Sequence, residues 1–586
     1  MSSETPRVET AHHDATAISS EASTIHGKAE SELVTSDKNT PPNLSHTQAQ
    51  HPRDRISEGR WRIMLCTNLV LSVIGGYDTS NVVNVQVSVY RAFGHIELLP
   101  WLSLSFSLIS VAVIPLVRKF TLFCDLKWMG LASCLLTCAA SALAGAAPNI
   151  ESVIVGRALM AVGSATLYQV MLCYNVIFAR PAELAMVQAL VAMSFAIGLV
   201  TGPIIGGAFA ENQHATWRWA FYVIVLVVAA ASSLVLIYPS FRLPTQKTAL
   251  QHLKEIDWVG CILWMSIFVI FGFAAVFSGS VWDWSSGSVI AIWTVLGLAI
   301  LVFATQQCFN LLTTREDRAI PWKLFKNTSV ALPMLCVWMV GVVYGPTLYY
   351  TPIYFAFTHG HGALAAAVRL LPFIGVFIFM IFLAGALLPV VRYYKIFFMV
   401  GAALILIGGG LQQTITPQSS EGKVMGYEAI VAAGAGLVWP ISLPIASAVL
   451  PQQDRMDAAA LFNMGQMGGI SVSLAMAGAI YENIGSRLVG KVVAELNLSH
   501  HDIRELLSGT ASSATSSLSP ETLALVVGAV TKAIVSCFYL TLAGSAVAFI
   551  AACCMKFEAP NFRGAAAKKT ATTSAEQGCK SEVAAA

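Results

Sequence analysis

Ionisable side chains are scarce within the long apolar stretches of this 586-residue chain, so each one present raises a question of chemistry. Asp78, in Gly75-Gly76-Tyr77-Asp78-Thr79-Ser80, is read as the one acid set well inside an apolar run. An ionised carboxylate near the middle of a bilayer costs about 2.5–3.5 kcal/mol or more, so it needs a counter-charge, water or a proton. Arg157, in Ile154-Val155-Gly156-Arg157, is the candidate counter-charge. The first apolar run climbs roughly 22 Å to Asp78, and the fourth descends roughly 8–10 Å from the opposite face to Arg157. In a hydrocarbon core about 30 Å thick these depths coincide. The pair is therefore expected to face one polar cavity. The competing reading places one or both at an interface, satisfied by lipid headgroups.

Other polar groups recur at helical spacing. In the fifth run Gly198, Gly202 and Gly206 fall four residues apart, with Pro203 and Gly207 beside them. Bare backbone on one face lets another helix approach closely, and Pro203 removes a backbone donor inside the membrane. The reading is either tight packing or a pliable seam. The ninth run carries Tyr344, Gly345, Pro346, Tyr349, Tyr350, Thr351, Pro352 and Tyr354. A tyrosine-rich span broken by prolines suits a cavity for amphipathic aromatic ligands, with an interfacial belt as the alternative. Asn463 and Gln466 in the thirteenth run, and Gln169 and Asn175 in the fourth, need partners in hydrocarbon, across helices or in a cavity. The expected cavity set is Tyr77, Thr79, Gln169, Tyr344, Tyr349, Tyr350, Asn463 and Gln466. His359-Gly360-His361 lacks further ligands nearby, so no metal site is expected, and no Walker sequence is present.

These residues must be positioned by membrane-spanning helices. Hydrophobic residues are 56% of the chain and charged residues 11%, against about 25% charged in soluble domains. That balance excludes a soluble enzyme, a disordered regulator and a fibrous protein, and a net charge of +3 gives no footprint for nucleic acid. Fourteen apolar runs are read at 63–87, 98–117, 128–147, 152–175, 185–210, 217–238, 257–279, 288–312, 330–357, 364–391, 394–412, 425–450, 458–481 and 533–555. Most reach the ~20 residues that span a bilayer, and they lack the two-residue alternation of a barrel. Arg53, Arg55, Arg60 and Arg62 precede the first run. Basic residues then concentrate in the even-numbered connections, from Arg118, Lys119 and Lys127 to Arg455, and in the tail at Lys556 and Arg563. The bias sets both termini in the cytosol. Residues 1–56 and the stretch from 557 read as polar tails. The long connection from about 482 to 532 holds the sequon Asn497-Leu498-Ser499, a glycosylation candidate, and Arg487 to Leu507 is a candidate interfacial helix.

The motifs resemble the major facilitator superfamily, in its fourteen-helix drug:proton antiporter branch, and are similar to those of fungal toxin and multidrug efflux pumps. Gly198, Gly202, Pro203, Gly206 and Gly207 match the antiporter motif. Thr216-Trp217-Arg218-Trp219 matches the opening of helix 6, Gly156-Arg157 with Gly163 the helix 4 motif, and Asp78-Thr79-Ser80 the helix 1 motif. Trp101 is similar to a tryptophan of fungal toxin-efflux members, and the second half rests on layout and on Arg369-Leu370-Leu371-Pro372-Phe373. Between helices 2 and 3, Arg118 stands where the family has its leading Gly and Leu122 where it has Asp, so the usual relay that locks one state is in question.

The resemblance implies an all-α fold with a six-helix bundle at 57–240, two extra helices and a linker at 241–326, and a second bundle at 327–556. It implies proton-driven efflux of an amphipathic metabolite, toxin or drug by a monomer in the plasma membrane, with Asp78 and its partner Arg157 carrying the proton coupling, and with protons, lipid and a small molecule as partners and no cofactor. Alternatives are uptake of a siderophore, vacuolar amino-acid loading in another membrane, and a non-transporting receptor. No clustered His, Asp or Cys supports a membrane enzyme.

Overall fold

The computed structural model describes residues 51–93, 98–211, 216–244, 246–279, 281–361, 363–494, 500–507 and 519–560. The sequon at Asn497, the first fifty residues and those beyond 560 lie outside this set.

The described residues are helical nearly throughout. In chain order the helices are α1 (Glu58–Phe93), α2 (Leu99–Phe123), α3 (Leu126–Ala146), α4 (Ile150–Phe178), α5 (Leu184–Glu211) and α6 (Trp219–Val235). There follow α7 (Ala249–Glu255), α8 (Trp258–Phe277), α9 (Gly287–Phe309), α10 (Thr328–His359), α11 (Ala363–Val368) and α12 (Leu371–Val391). The last are α13 (Tyr394–Gln412), α14 (Glu421–Val438), α15 (Ser442–Val449), α16 (Arg455–Val492), α17 (His500–Leu507) and a final α18 (Pro520–Cys554). Eleven spans among the described residues are long and apolar enough to cross a membrane. α6 is apolar but shorter, and α1 and α16 are long but carry more polar residues than these spans.

Local chemistry sets the boundaries. Asp125, Asn149, Asp257, Ser286 and Ser519 cap α3, α4, α8, α9 and α18 by accepting from free backbone N–H groups. The run at 425–450 divides into α14 and α15 around Trp439 and Pro440, where proline cannot donate. Three expectations change. The first turn of chain order begins before the expected tail boundary, because Arg53 is buried over the Trp61 ring at 4.4 Å. Residues 487–492 belong to α16 rather than to an interfacial helix, which leaves only His500–Leu507 as a separate helix there. α18 starts at Pro520, so the helix occupies residues expected in the loop.

α1 lies along α5, α3 along α4 and α6, and α2 along α4. α10 packs on α16 and α18, and α13 on α14 and α18. The two sets meet where α2 and α4 touch α16 and where α5 touches α12. α8 attaches to α2, with Trp101 against Phe273 at 4.5 Å and Trp264 Nε1 donating 3.1 Å to Val111 O. α9 leaves most of its apolar surface uncovered, as a lipid-facing helix would. Asp257 secures the base of this pair by accepting from Gln306, Gln307 and the Ala319 N–H.

Candidate functional site

The glycine face of α5 seats directly on the α1 segment that holds Asp78. A Cβ added at Gly198 would lie 2.7 Å from Tyr77 N, and one at Gly202 would lie 2.8 Å from Tyr77 O. Gly206 faces the Asn81 amide, and Gly76 of α1 reciprocally faces the backbone of Phe195. Any larger side chain would push the helices apart, so the repeat of small residues fixes how close α1 and α5 come. Pro203 stands inside α5 on the wall of the central cavity.

Asp78 and Arg157 form a buried ion pair, 4% and 2% exposed. Arg157 Nη1 donates to Asp78 Oδ1, its Nε donates 3.2 Å to Leu102 O, and its guanidinium lies 4.5 Å from the Phe106 ring centre. The arginine is thus held by α1, α2 and an aromatic face. Asp78 Oδ2 is buried and has no hydrogen-bond partner among the described residues. The carboxylate is therefore half satisfied.

The cavity has a volume of about 1280 Å³. It runs from Leu71 and Met171 in the middle of the helices to Gly360, His361 and Leu523, at the end where α10 finishes and α18 begins. Of the expected residues, Asp78, Thr79, Tyr344, Tyr349, Asn463 and Gln466 line it. Tyr344 is set among Phe373, Phe377 and Trp439, with its hydroxyl unpartnered. Four expected residues lie behind the wall. Tyr77 donates 3.0 Å to Ala220 O and ties α1 to α6. Gln169 is fully buried and accepts from Asn463 Nδ2 at 3.1 Å, joining α4 to α16. Tyr350 packs on Tyr481 with ring centres 5.3 Å apart. Arg157 supports Asp78 from behind. Asn175 also turns inward, accepting from Asn68 at 3.1 Å.

The opposite end, where α1 starts and α18 finishes, is closed by charge. Arg118 Nε donates 2.8 Å to Asp457 Oδ1, and its Nη1 donates to Arg318 O and Ala319 O at 3.1 and 2.9 Å. Lys323 Nζ lies 2.7 Å from Asp454 and 3.2 Å from Asp457 Oδ2. Lys119 lies 3.7 Å from Asp317. Arg118 thus joins α2 to α16 by a buried pair. Burial pulls the Lys323 ammonium down, but Asp454 and Asp457 outweigh it and hold it above its usual range.

Sequence reading missed several of these groups. Tyr168 donates 2.8 Å to Gln466 Oε1 on the cavity wall. Asp457 sits one residue before the run at 458–481, a visible acid at a run's edge. A direct correction concerns Asp78 as the one acid within the apolar runs: Glu428, inside the run at 425–450, is 1% exposed in the body of α14.

Residues 69–473 match the profile of the Major Facilitator Superfamily, and the chain belongs to that family. It is a multi-pass membrane transporter by that membership and by its apolar spans. It is 31% identical over 533 residues to the efflux pump DEP3 of Fusarium langsethiae, covering 91% of this chain and 96% of the relative. It is 30% identical over 500 residues to the efflux pump patC of Aspergillus clavatus, covering 84% and 90%. The phomenoic acid biosynthesis cluster MFS-type transporter of Leptosphaeria maculans is 30% identical over 514 residues, 84% of this chain and 80% of that one. Among solved structures, the proton:xylose symporter XylE superposes with a TM-score of 0.53 at 11% identity, covering 85% of this chain and 95% of that one. An inward-facing bacterial homolog of the human lysosomal transporter Spinster gives 0.52 at 15%, covering 85% and 98%. These two speak to the fold.

Proposed function

We propose that the chain exports amphipathic small molecules, of the fungal metabolite, toxin or drug kind, in exchange for protons by alternating access. The observation that carries this reading is Asp78. It stands on the cavity wall with one oxygen held by Arg157 and the other without a partner among the described residues. A group so placed can take a proton from the cavity at little cost in lost hydrogen bonds. Protonation removes the charge that holds Arg157, and the pair between α1 and α4 loosens.

The cavity fits this task. Its wall is largely apolar and aromatic, with scattered serine, threonine, tyrosine and amide groups to orient a ligand. Its charges are few, since Arg157 offsets Asp78. Efflux pumps named for fungal relatives that match nearly end to end favour export over uptake. The two helix sets, taken as 57–240 and 327–556, would rock about the α5 glycine seam, with the Arg118–Asp457 end opening as the other closes. In this scheme the form described here is open toward the outside.

The test uses sealed vesicles containing the purified protein, a panel of fluorescent amphipathic dyes and an imposed pH gradient. Gradient-driven movement that an uncoupler abolishes, and that is absent from Asp78→Asn protein shown to be folded and inserted, is the expected result. Full gradient coupling in Asp78→Asn sinks the assignment.

A further inference from the structure

The scheme above leaves one buried acid unused. Glu428 lies two turns, about 10 Å, inside α14 from Glu421. It is 1% exposed, and neither carboxylate oxygen has a hydrogen-bond partner among the described residues. No cation among the described residues pairs with it. Burying a carboxylate with neither counter-charge nor donors is costly, and the cost is relieved when the group is a neutral acid.

The surroundings suit that neutral form. The Thr351 hydroxyl of α10 lies beside Glu428, but its own proton is directed 2.8 Å to Thr347 O. What Thr351 offers is therefore a lone pair, which a carboxylic acid O–H can use and a carboxylate cannot. On α13 the side chain of Gln412 is fully buried with both amide atoms unpartnered. Gly408, one turn earlier, sits against Tyr427 and Val431 of α14, so the register brings Gln412 level with the turn from Val424 to Glu428. Thr541 of α18, beside Gly409, is another buried hydroxyl without a partner.

Ionisable groups on the packed elements are distant or engaged. α12 has none, and α13 has Tyr394 and Lys395 at its far end. On α10, Cys336 and Tyr344 lie deeper, Tyr349 faces the cavity, Tyr350 packs on Tyr481, Tyr354 donates to Thr416 O, and His359 ends the helix. On α14 itself Tyr427 is the neighbour, Lys423 lies over its ring, and Glu421 is held at the outer end by Arg369 and His361.

We propose that Glu428 is a second proton-binding site, separate from Asp78, which holds its proton as a carboxylic acid between α10, α13 and α14 and exchanges it with water. A role for this proton in transport rests on the proton-coupled reading above; binding of the proton does not.

The experiment is an infrared pH titration of the purified full-length chain in lipid nanodiscs, reading the carbonyl stretch of protonated carboxyl groups and its shift in deuterated water. Wild type is expected to show a band from a carboxylic acid in apolar surroundings, lost reversibly at alkaline pH. Asp78→Asn should keep it, Glu428→Gln should lose it, and Glu428→Asp should restore it at a shifted position. Because glutamine is nearly isosteric and neutral, Glu428→Gln should keep the wild-type melting temperature. Identical spectra in wild type and Glu428→Gln overturn the proposal, and so does a band that no pH removes, which marks a permanently protonated structural acid. If wild-type protein moves dyes with no dependence on the proton gradient, the proposed function fails while a titrating Glu428 band still supports this site.

Discussion

Two buried aspartate–arginine pairs stand in different parts of this molecule, and they are built differently. Arg118–Asp457 is saturated. Asp457 is held on one oxygen by Arg118 and on the other by Lys323, and Arg118 also donates to two backbone carbonyls. Asp78–Arg157 is not, since one carboxylate oxygen of Asp78 has no partner among the described residues although Asp78 lines the cavity. A fully bonded pair resists change because each bond lost leaves a desolvated group. A half-bonded one can take a proton on its free oxygen without breaking a hydrogen bond, so that what it gives up is the charge attraction to its arginine. The contrast suggests a latch at one end and a sensor in the middle, made from the same two residue types.

The sharpest way to break the contrast is at the sensor. Asp78→Asn should abolish gradient-driven export and also destabilise the protein, because Arg157 stays buried without its counter-charge. Losing one partner of a buried pair costs about 3–5 kcal/mol. The double variant Asp78→Asn with Arg157→Gln should recover much of the melting temperature in detergent but none of the coupling. Recovery of both would make the pair structural. At the latch, Arg118→Gln carries a comparable cost of about 3–5 kcal/mol, yet its signature is conformational. A cysteine placed at Ala165 on the cavity wall should become reactive to an impermeant maleimide added from the side of the termini. Unchanged reactivity would show that other contacts close that end.

A smaller effect is expected at the seam between these regions. Gly202→Ala puts a methyl against Ser80 and the Tyr77 carbonyl. Overpacking of this kind costs about 1–3 kcal/mol. Transport rate should fall while dye binding, read by fluorescence quenching, is largely retained, because the change stiffens the α1–α5 contact and meets only Ser80 among the residues of the ligand wall.

The legibility of these features in sequence follows from what kind of information each needs. The helices were readable because apolar length is a local property, and the Asp78–Arg157 encounter was readable because depth follows from residue count. The α5 glycines announced a close approach, though not its partner. Helix rotation was not readable. α10 is apolar on every side, so nothing in its pattern fixes phase, and Tyr349 was indistinguishable from Tyr350 until one lined the cavity and the other packed on Tyr481. Gln169 was expected in the cavity for the same reason and lies behind Asn463. Arg118 and Asp457 are each visible at the edge of an apolar run, but their pairing joins positions 339 residues apart and needs the tertiary fold.

The smallest predicted effect tests how far the latch depends on its outer member. Lys323 reaches Asp454 and Asp457 from a half-exposed position, 57% accessible, whereas Arg118 reaches Asp457 from 2%. Water screens the first and not the second, so Lys323→Met should cost only about 0.2–1 kcal/mol. Its pH dependence has a definite sign. The two aspartates hold the folded-state ammonium above its usual range despite burial. A group with a raised folded value contributes fully below its unfolded value, about 10.4 for lysine, and loses that contribution as pH rises through the folded one. The melting-temperature gap between wild type and Lys323→Met should therefore be flat through neutral pH and close only in strong alkali. A gap that closes near neutral pH would mean that Lys323 titrates with the transport cycle, and the latch would then share the sensor's role.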